Sequence, residues 1–205
     1  MNMHDKAMVL RKLHHQLQPL VFVNAWDGAS ARIVESLDFP AIATTSAGVA
    51  YVDGYPDGQA ISRDVMLAHV AVIAAAVAVP VTADLEGGYG STIDDAVATV
   101  RGAIAAGAVG MNFEDSVSHD APLLPMEVQA ARIRAMRSAA SELGVPFVIN
   151  ARTDVYIMDG GDEEQFAETI ARAKAYLDAG ADCIFVPFIA EEALIGRLAA
   201  AIPGP

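Results

Sequence analysis

The segment Val81-Thr82-Ala83-Asp84-Leu85-Glu86-Gly87-Gly88-Tyr89-Gly90 decides how this chain is interpreted. It starts as a short apolar run and ends in two carboxylates and a glycine-rich turn. Two later apolar runs end in a similar way, residues 110–113 in Glu114 and residues 147–150 in Ala151-Arg152-Thr153-Asp154. Acids are costly to bury unless a partner or a metal compensates them. Carboxylates gathered at the carboxyl ends of parallel strands are typical of a metal site in a barrel enzyme, so the sequence predicts a divalent cation with chemistry beside it.

Composition limits the classes of protein that the chain can belong to. Its 205 residues are enough for one domain with a substantial core, and 54% hydrophobic residues argue against disorder. The formal net charge of −13 repels phosphate backbones, so we expect no nucleic-acid partner. An anionic substrate would therefore need local help from an arginine or a metal.

Cysteine usage and hydropathy indicate where the protein works. Cys183 is the only cysteine, so the chain has no disulfide framework or cysteine-based zinc site, and a reducing cytoplasm is the expected compartment. The first twenty residues are too charged for a signal peptide. The longest apolar stretch, residues 65–81, contains His69 and Pro80 and is shorter than the ~20 residues of a spanning helix. We interpret it as a buried helix followed by a strand, and we expect no membrane partner.

Apolar β-branched runs alternate with alanine-rich helical stretches along the whole chain. The predicted strands are 21–25, 41–45, 81–86, 110–114, 147–151 and 183–186. The predicted helices are 4–17, 28–37, 62–77, 92–106, 125–143, 162–179 and 191–201. This makes about six β/α units after a leading helix, in one domain spanning residues 1–205. The chain ends at Ile202-Pro203-Gly204-Pro205, where a seventh strand is expected, whereas a full (β/α)₈ barrel takes ~250 residues. We therefore predict an α/β fold of the (β/α)₈ TIM-barrel type, truncated after about six units.

An open, doubly wound sheet is the main alternative fold. That fold ordinarily has a glycine-rich turn after its first strand, and here the first predicted strand is followed by Trp26-Asp27-Gly28, which is no dinucleotide fingerprint.

Three acids on two neighbouring strand ends are the candidate metal ligands. Asp84 and Glu86 are two residues apart, so on a regular strand they share a face, and Glu114 ends the next strand. Oxygen ligands favour Mg²⁺ over zinc or copper. The alternatives are solvated loop acids, or a phosphate cradle formed by the glycines of residues 87–90, which lack the P-loop lysine.

Two further strand ends could hold an anion. The small residues of Thr44-Thr45-Ser46-Ala47-Gly48 could present backbone N–H groups to an oxyanion, or simply form a tight loop. The guanidinium of Arg152 suits a carboxylate, but an ion pair with Glu114 or Asp84 is an equally valid interpretation. His119 is either a catalytic acid or base, or an ordinary surface residue.

Asp154, Asp159 and Asp162 are predicted to shape a loop and cap a helix.

These residues occur in an order that resembles the isocitrate lyase/phosphoenolpyruvate mutase superfamily. The resemblance covers about residues 21–187. It rests on Val23-Asn24-Ala25-Trp26-Asp27, Thr44-Thr45-Ser46, Pro56-Asp57-Gly58, residues 84–90, Asn112-Phe113-Glu114-Asp115 and Asn150-Ala151-Arg152-Thr153-Asp154. It implies a (β/α)₈ barrel that uses Mg²⁺, with Mn²⁺ as an alternative, on 2-oxo acids. It further implies cleavage or rearrangement of C–C or P–C bonds through a pyruvate enolate, and exchange of the last helix between subunits.

The resemblance also implies a role for individual residues. Asp84 would be the direct metal ligand and would face the substrate, while Asp57, Glu86 and Glu114 would support the metal, mostly through water. The implied substrate-binding residues are Ser46, Ala47, Gly48, Asp84 and Arg152, and the implied catalytic residues are Arg152, Ser46 and Glu114.

The departures from the superfamily pattern narrow the prediction. The family usually has Asp-x-Asp-Thr-Gly where this chain has Asp84-Leu85-Glu86-Gly87-Gly88. Residues 116–125 lack both the Lys-x-Cys-Gly-His loop of the lyases and the Lys-x-Asn-Ser loop of the mutases. That absence argues against cleavage of isocitrate or methylisocitrate.

We predict a Mg²⁺-dependent, lyase-like enzyme that acts on a small 2-oxo or 2-hydroxy carboxylic acid through an enolate. Its partners would be a small carboxylate substrate and further copies of the same chain in a homo-oligomer. The alternatives are P–C chemistry of the phosphoenolpyruvate mutase or phosphonopyruvate hydrolase type, and a catalytically degenerate binding barrel.

Overall fold

Six parallel strands form one sheet, in which their order matches their order along the chain. The computed structural model describes residues 1–116, 122–157 and 162–205. The strands are β1 (Val23–Ala25), β2 (Ile42–Thr44), β3 (Val81–Asp84), β4 (Gly110–Glu114), β5 (Val148–Arg152) and β6 (Cys183–Phe185). A doubly wound sheet reverses its strand order at a switch point, and the described sheet does not. The doubly wound alternative is therefore wrong, and the barrel-type α/β fold is confirmed.

Eight helices connect and flank these strands within the described residues. They are α1 (Met3–His14), α2 (Gly28–Ser36), α3 (Ser46–Val52), α4 (Arg63–Ala76), α5 (Ile93–Ala105), α6 (Met126–Glu142), α7 (Glu163–Asp178) and α8 (Glu192–Ala201). The short α3 was not predicted, because its residues were interpreted as a tight loop. Thr45 caps it by accepting a hydrogen bond from the N–H of Gly48 at 3.2 Å.

Local capping chemistry explains where two of the other helices begin and where two end, whereas α1 ends at His14, three residues before the predicted end. Thr92 and Asp95 form a reciprocal capping box at the start of α5, and Asp162 accepts from the N–H of Gln165 at the start of α7. Gly144 and Gly180 follow α6 and α7 with positive φ angles of 68° and 109°, the left-handed conformation that suits glycine.

The first helix packs against the sheet at the amino-terminal ends of the strands. Leu10 of α1 is fully buried, and a Cβ on Gly110 would lie 2.8 Å from its Cδ2 atom. Glycine at the start of β4 therefore lets α1 approach the strands closely. Burying such a leucine stabilises the fold by about 1.5–3 kcal/mol. Cys183 is also buried, in agreement with its predicted place in the core.

Among the described residues, no helix combines the length and the apolar character that crossing a membrane requires.

Candidate active site

The predicted residues meet at the carboxyl ends of β2 to β5. Strand register places Asp84 beside Asn112, and Glu114 directly beside Arg152. Asp84 ends β3, Glu114 ends β4 and Arg152 ends β5, while Ser46 begins α3 two residues after β2. The parallel sheet therefore brings together four residues that are far apart in sequence.

Only one of the two carboxylate oxygens of Asp84 is hydrogen-bonded within the described residues. Its Oδ2 accepts hydrogen bonds from the backbone N–H of Ser46 at 3.0 Å and from the Ser46 hydroxyl at 2.7 Å. The N–H of Asp84 donates to the hydroxyl of Thr44 at 2.8 Å. Its Oδ1 is buried and finds no hydrogen-bond partner in the described part of the chain. A buried carboxylate oxygen without a partner is unfavourable unless a cation or ligand completes it.

Glu86 lies outside the strand that was predicted to contain it. Strand β3 ends at Asp84, and Glu86 has a positive φ of 50°. The argument that Asp84 and Glu86 share a face of one regular strand is therefore wrong, although the turn still buries Glu86 beside the site. The carboxylate of Glu86 accepts from the N–H of Gln59 at 2.6 Å and from the Tyr89 hydroxyl at 3.3 Å. Burial raises its pKa to about 7, opposed by the Gln59 hydrogen bond and reinforced by the charges of Asp57 and Asp84.

Glu114 is the second acid whose charge is poorly compensated. Burial raises its pKa to about 8, despite the opposing effect of Arg152, and the nearby acids Asp154, Asp84 and Glu86 add to the increase. Its Oε2 lies 2.9 Å from Nη1 of Arg152. One arginine therefore serves two acids, Glu114 and Asp154, while Asp84 and Glu86 lie close by, so the site can accommodate a cation.

Arg152 forms ion pairs with two acids and lies near two aromatic rings. Its Nε donates to Asp154 at 2.5 Å, in addition to the contact of Nη1 with Glu114. The rings of Phe185 and Phe188 lie 5.8 and 5.9 Å from its guanidinium carbon. The ion-pair interpretation of Arg152 is thus correct for Glu114.

The glycine-rich turn of residues 87–90 is held by close packing and by hydrogen bonds from Arg132. A Cβ on Gly87 would collide with the backbone oxygen of Ser116, and one on Gly88, which has a φ of 85°, would lie 2.7 Å from the Phe113 ring. The fully buried Arg132 donates to the backbone oxygens of Gly87 and Gly90 at 2.7 and 2.6 Å. These contacts account for the glycines as determinants of loop shape.

The other predicted residues lie around this centre. Asp57 is half-buried and close enough to Glu86 to influence its pKa. Gly48 uses its N–H to cap α3, and Ala47 is half-buried beside it. His119 and Asp159 lie outside the described residues.

Three contributors were missed in the sequence. Tyr89 and Gln59 hold Glu86, and Asp154 pairs with Arg152 rather than only shaping a loop. The spacing Arg-x-Asp at residues 152–154 was the available signal for Asp154, because alternate residues of an extended chain share a face. Nothing in the sequence distinguishes Gln59 from any other loop glutamine.

The oxygen donors of the site suit the predicted Mg²⁺. In residues 1–116, 122–157 and 162–205 no three histidine, cysteine or acidic side chains gather into a ready-made metal cluster. Mg²⁺ usually keeps several waters and binds through one or two carboxylates, so a complete protein cage is not required. The unpartnered Oδ1 of Asp84, among acids whose charge is poorly compensated, fits such an ion.

Comparison with known proteins gives a consistent result. The family model for phosphoenolpyruvate phosphomutase matches residues 10–205. The 2-methylisocitrate lyase of Escherichia coli K12 is 30% identical over 213 residues, covering 100% of this chain and 70% of the relative. A provisionally assigned phosphonomutase from Burkholderia cenocepacia J2315 has a crystal structure that matches with a TM-score of 0.94 at 44% identity, over 98% of this chain and 82% of the other. A structure of oxaloacetate acetylhydrolase with the product oxalate matches with a TM-score of 0.88 at 27% identity, over 100% and 71% of the two chains.

Proposed function

The chain belongs to the phosphoenolpyruvate phosphomutase family, within the isocitrate lyase/phosphoenolpyruvate mutase superfamily, and from this premise we propose that it is a Mg²⁺-dependent carbon–carbon lyase. The proposed substrate is a small 2-oxo or 2-hydroxy carboxylic acid, cleaved through an enolate. One observation carries the proposal. The buried Oδ1 of Asp84 has no hydrogen-bond partner in the described residues, whereas the other oxygen of the same carboxylate, Oδ2, is hydrogen-bonded to Ser46.

Asp84 would hold the cation directly, and Asp57, Glu86 and Glu114 would act through its water ligands. Mn²⁺ is the alternative ion, since it accepts the same oxygen ligands. When bound, the cation would stabilise the negative charge that develops on the substrate oxygen as the C–C bond breaks. Ser46 keeps Oδ2 of Asp84 in place and leaves Oδ1 without a partner among the described residues.

Arg152 would bind the substrate carboxylate. It is a planar donor whose two ion pairs already fix its position at the end of β5, which reduces the entropy lost when an anion binds. Ser46, Ala47 and Gly48 would line the same mouth, with Ser46 acting through Asp84. Arg152, Ser46 and Glu114 are the proposed catalytic set.

The proposed substrate class rests on residue types that the segment after Glu114 lacks. Residues 116–125 contain no cysteine and no lysine, in contrast to the gating loop expected of isocitrate and methylisocitrate lyases. We therefore propose oxaloacetate-like or substituted malate-like acids. The similarity to oxaloacetate acetylhydrolase supports this class.

A screen of 2-oxo and 2-hydroxy acids, with and without Mg²⁺, tests the proposal. We expect Mg²⁺-dependent release of a two- or three-carbon oxo acid or of oxalate from at least one member. The Asp84→Asn variant is the control for metal-independent turnover. Turnover that is equal with Mg²⁺ and with a chelator would contradict the proposal, as would failure of Mg²⁺ and oxalate to bind.

P–C chemistry is a second candidate function. The 44% identity to the provisionally assigned Burkholderia phosphonomutase and the match to the phosphomutase family model favour it. Phosphonopyruvate belongs in the same screen, and turnover of this compound without turnover of any C–C substrate would select this candidate. Binding of oxalate without any turnover would select the degenerate binding barrel instead.

We also propose that the chain works in the cytoplasm as a homo-oligomer. The single buried cysteine suits a reducing compartment. Trp26, Tyr51, Val52 and Tyr55, near the site, are 43–66% exposed, and large exposed apolar surfaces are typical of association sites. Light scattering of the purified protein tests association, and a monodisperse monomer at micromolar concentration would contradict it.

A further inference from the structure

We infer that Asp154 is a positioning residue, which sets the orientation of the Arg152 guanidinium toward the carboxylate of the substrate. This inference rests on the proposed function of the site. Asp154 lies two residues beyond Arg152, and its Oδ1 accepts from Nε of Arg152 at 2.5 Å. The Asp154 side chain is fully buried, and that of Arg152 is 14% exposed. The pair is therefore shielded from competing water.

The contacts of Arg152 leave one nitrogen of the guanidinium for a ligand. Asp154 holds Nε, and Glu114 holds Nη1 from the neighbouring strand. Two carboxylates that contact different nitrogens fix the plane of the group, because its N–H directions are rigid. The hydrogen bond and ion pairs found for Arg152 within the described residues use Nε and Nη1, so the N–H groups of Nη2 are the ones left for an anion.

Asp154 is itself held too firmly to act as a passive loop residue. Its Oδ2 accepts from the Ser116 hydroxyl at 2.5 Å, and its backbone N–H donates to Asp115 at 3.0 Å. Both contacts are buried.

Helix α7 anchors this arrangement from behind. The carboxylate of Asp115 accepts from the hydroxyl of Tyr176 at 2.8 Å and from Arg172 at 3.1 Å. A continuous series of buried contacts thus links α7 through Asp115 to Asp154 and then to Arg152. Side chains that are fixed in this way by a second layer of contacts are what a precise binding geometry requires.

A purely structural ion pair is the competing explanation, and the chain offers a matched control for it. Asp182 is also a buried aspartate that pairs with arginines, Arg11 and Arg137, but it lies where β6 begins, at the opposite end of the strands. Loss of its charge should affect folding and leave the site alone.

The first experiment compares Asp154→Asn with Asp182→Asn in calorimetric titrations of oxalate into the Mg²⁺-loaded protein. We expect Asp154→Asn to lower oxalate affinity about tenfold, with Mg²⁺ affinity within about twofold of the parent. Asp182→Asn should lower the unfolding midpoint and leave oxalate affinity unchanged. Oxalate affinity in Asp154→Asn within about twofold of the parent would overturn the inference.

The second experiment separates positioning from general support of the fold. In Arg152→Ala, added guanidinium should bind between Glu114 and Asp154 and restore part of the oxalate affinity. In the double variant Arg152→Ala/Asp154→Asn, the same concentration of guanidinium should restore none. Equal rescue in both backgrounds would overturn the inference.

A third measurement keeps the inference testable independently of the proposed function. In ¹⁵N-resolved spectra of the parent without ligand, the Nε–H signal of Arg152 should exchange slowly with water, and in Asp154→Asn it should exchange rapidly. If the parent fails to bind oxalate, the proposed function falls, while this signal still decides the role of Asp154. An Nε–H signal that is equally protected in the variant would show that Asp154 does not orient Arg152.

Discussion

Two buried aspartates at opposite ends of the same sheet are satisfied to different degrees. At the amino-terminal ends of the strands, Asp182 uses both oxygens, with Arg11 at 2.7 Å from one and with Arg137 and the N–H of Ile149 on the other. At the carboxyl ends, Asp84 uses one oxygen only, and its other oxygen has no partner in the described residues.

The comparison distinguishes a structural acid from a functional one. A buried carboxylate whose two oxygens are both paired ties elements together, here α1, α6 and the start of β5 and β6. A buried carboxylate that keeps an unpaired oxygen lowers the stability of the fold, and such a group is retained where a cation or ligand is to be bound. Burial alone would not separate the two residues, whereas the inventory of hydrogen bonds does.

The largest expected effect comes from removing the satisfied acid. Asp182→Ala leaves Arg137, whose side chain is 23% exposed, without its carboxylate, and breaking a buried pair in this way costs about 3–5 kcal/mol of unfolding free energy. Denaturant unfolding measures the loss. Mg²⁺ affinity of the folded variant should be unchanged, and a stability within about 0.5 kcal/mol of the parent would show that the network contributes little.

The sequence was sufficient for most of the fold because its signals are local. Alternating apolar runs, the capping box at Thr92 and the glycines after α6 and α7 each act within a few residues. Helix α3 was missed because it is only seven residues long and contains glycine, so propensity does not favour it.

The sequence predicts several residues of the candidate site, but it does not predict how their side chains are arranged. Strand-end acids and Arg152 follow from the rule that ligand sites lie at the carboxyl ends of parallel strands. The position of Glu86 depends on a left-handed turn, and the role of Asp154 depends on contacts across about 40 residues to Ser116 and Asp115. Long-range contacts of this kind leave no local pattern to be detected.

A smaller effect is expected when the guanidinium at the functional end is replaced by an ammonium. Arg152→Lys keeps the charge but loses the planar donor geometry and cannot serve Glu114, Asp154 and an anion together. We expect oxalate affinity, measured by calorimetry with saturating Mg²⁺, to fall about tenfold, or about 1.4 kcal/mol. An unchanged affinity would make Arg152 a structural residue like Arg137.

A pH dependence of stability is also expected at the functional end. In the folded protein without metal, the pKa of Glu86 is raised to about 7 and that of Glu114 to about 8, from 4.5. Between pH 4.5 and 8 the folded state therefore binds more protons than the unfolded state, so stability falls as pH rises. A bound cation favours the charged carboxylates, so the stabilisation by Mg²⁺ should increase over the same range.

Thermal unfolding at pH 6 and at pH 8.5, with and without Mg²⁺, measures this pH dependence. The Glu114→Gln variant should show a flatter dependence without metal, and Asp182→Asn should keep the dependence of the parent. A Mg²⁺ stabilisation that is larger at pH 6 than at pH 8.5 would contradict the assignment of these acids to the metal site.

The most direct test of the central claim is a calorimetric titration of Mg²⁺ into the parent and into Asp84→Asn. Because the Oδ1 of Asp84 lacks a partner in the described structure and Oδ2 is held by Ser46, we predict that the variant loses at least about 100-fold in Mg²⁺ affinity, or about 2.7 kcal/mol. Its unfolding midpoint without metal should equal or exceed that of the parent, since an incompletely compensated charge has been removed. Equal Mg²⁺ affinity in the two proteins would contradict the account, because the incomplete acid at the carboxyl ends of the strands would then not be a metal ligand.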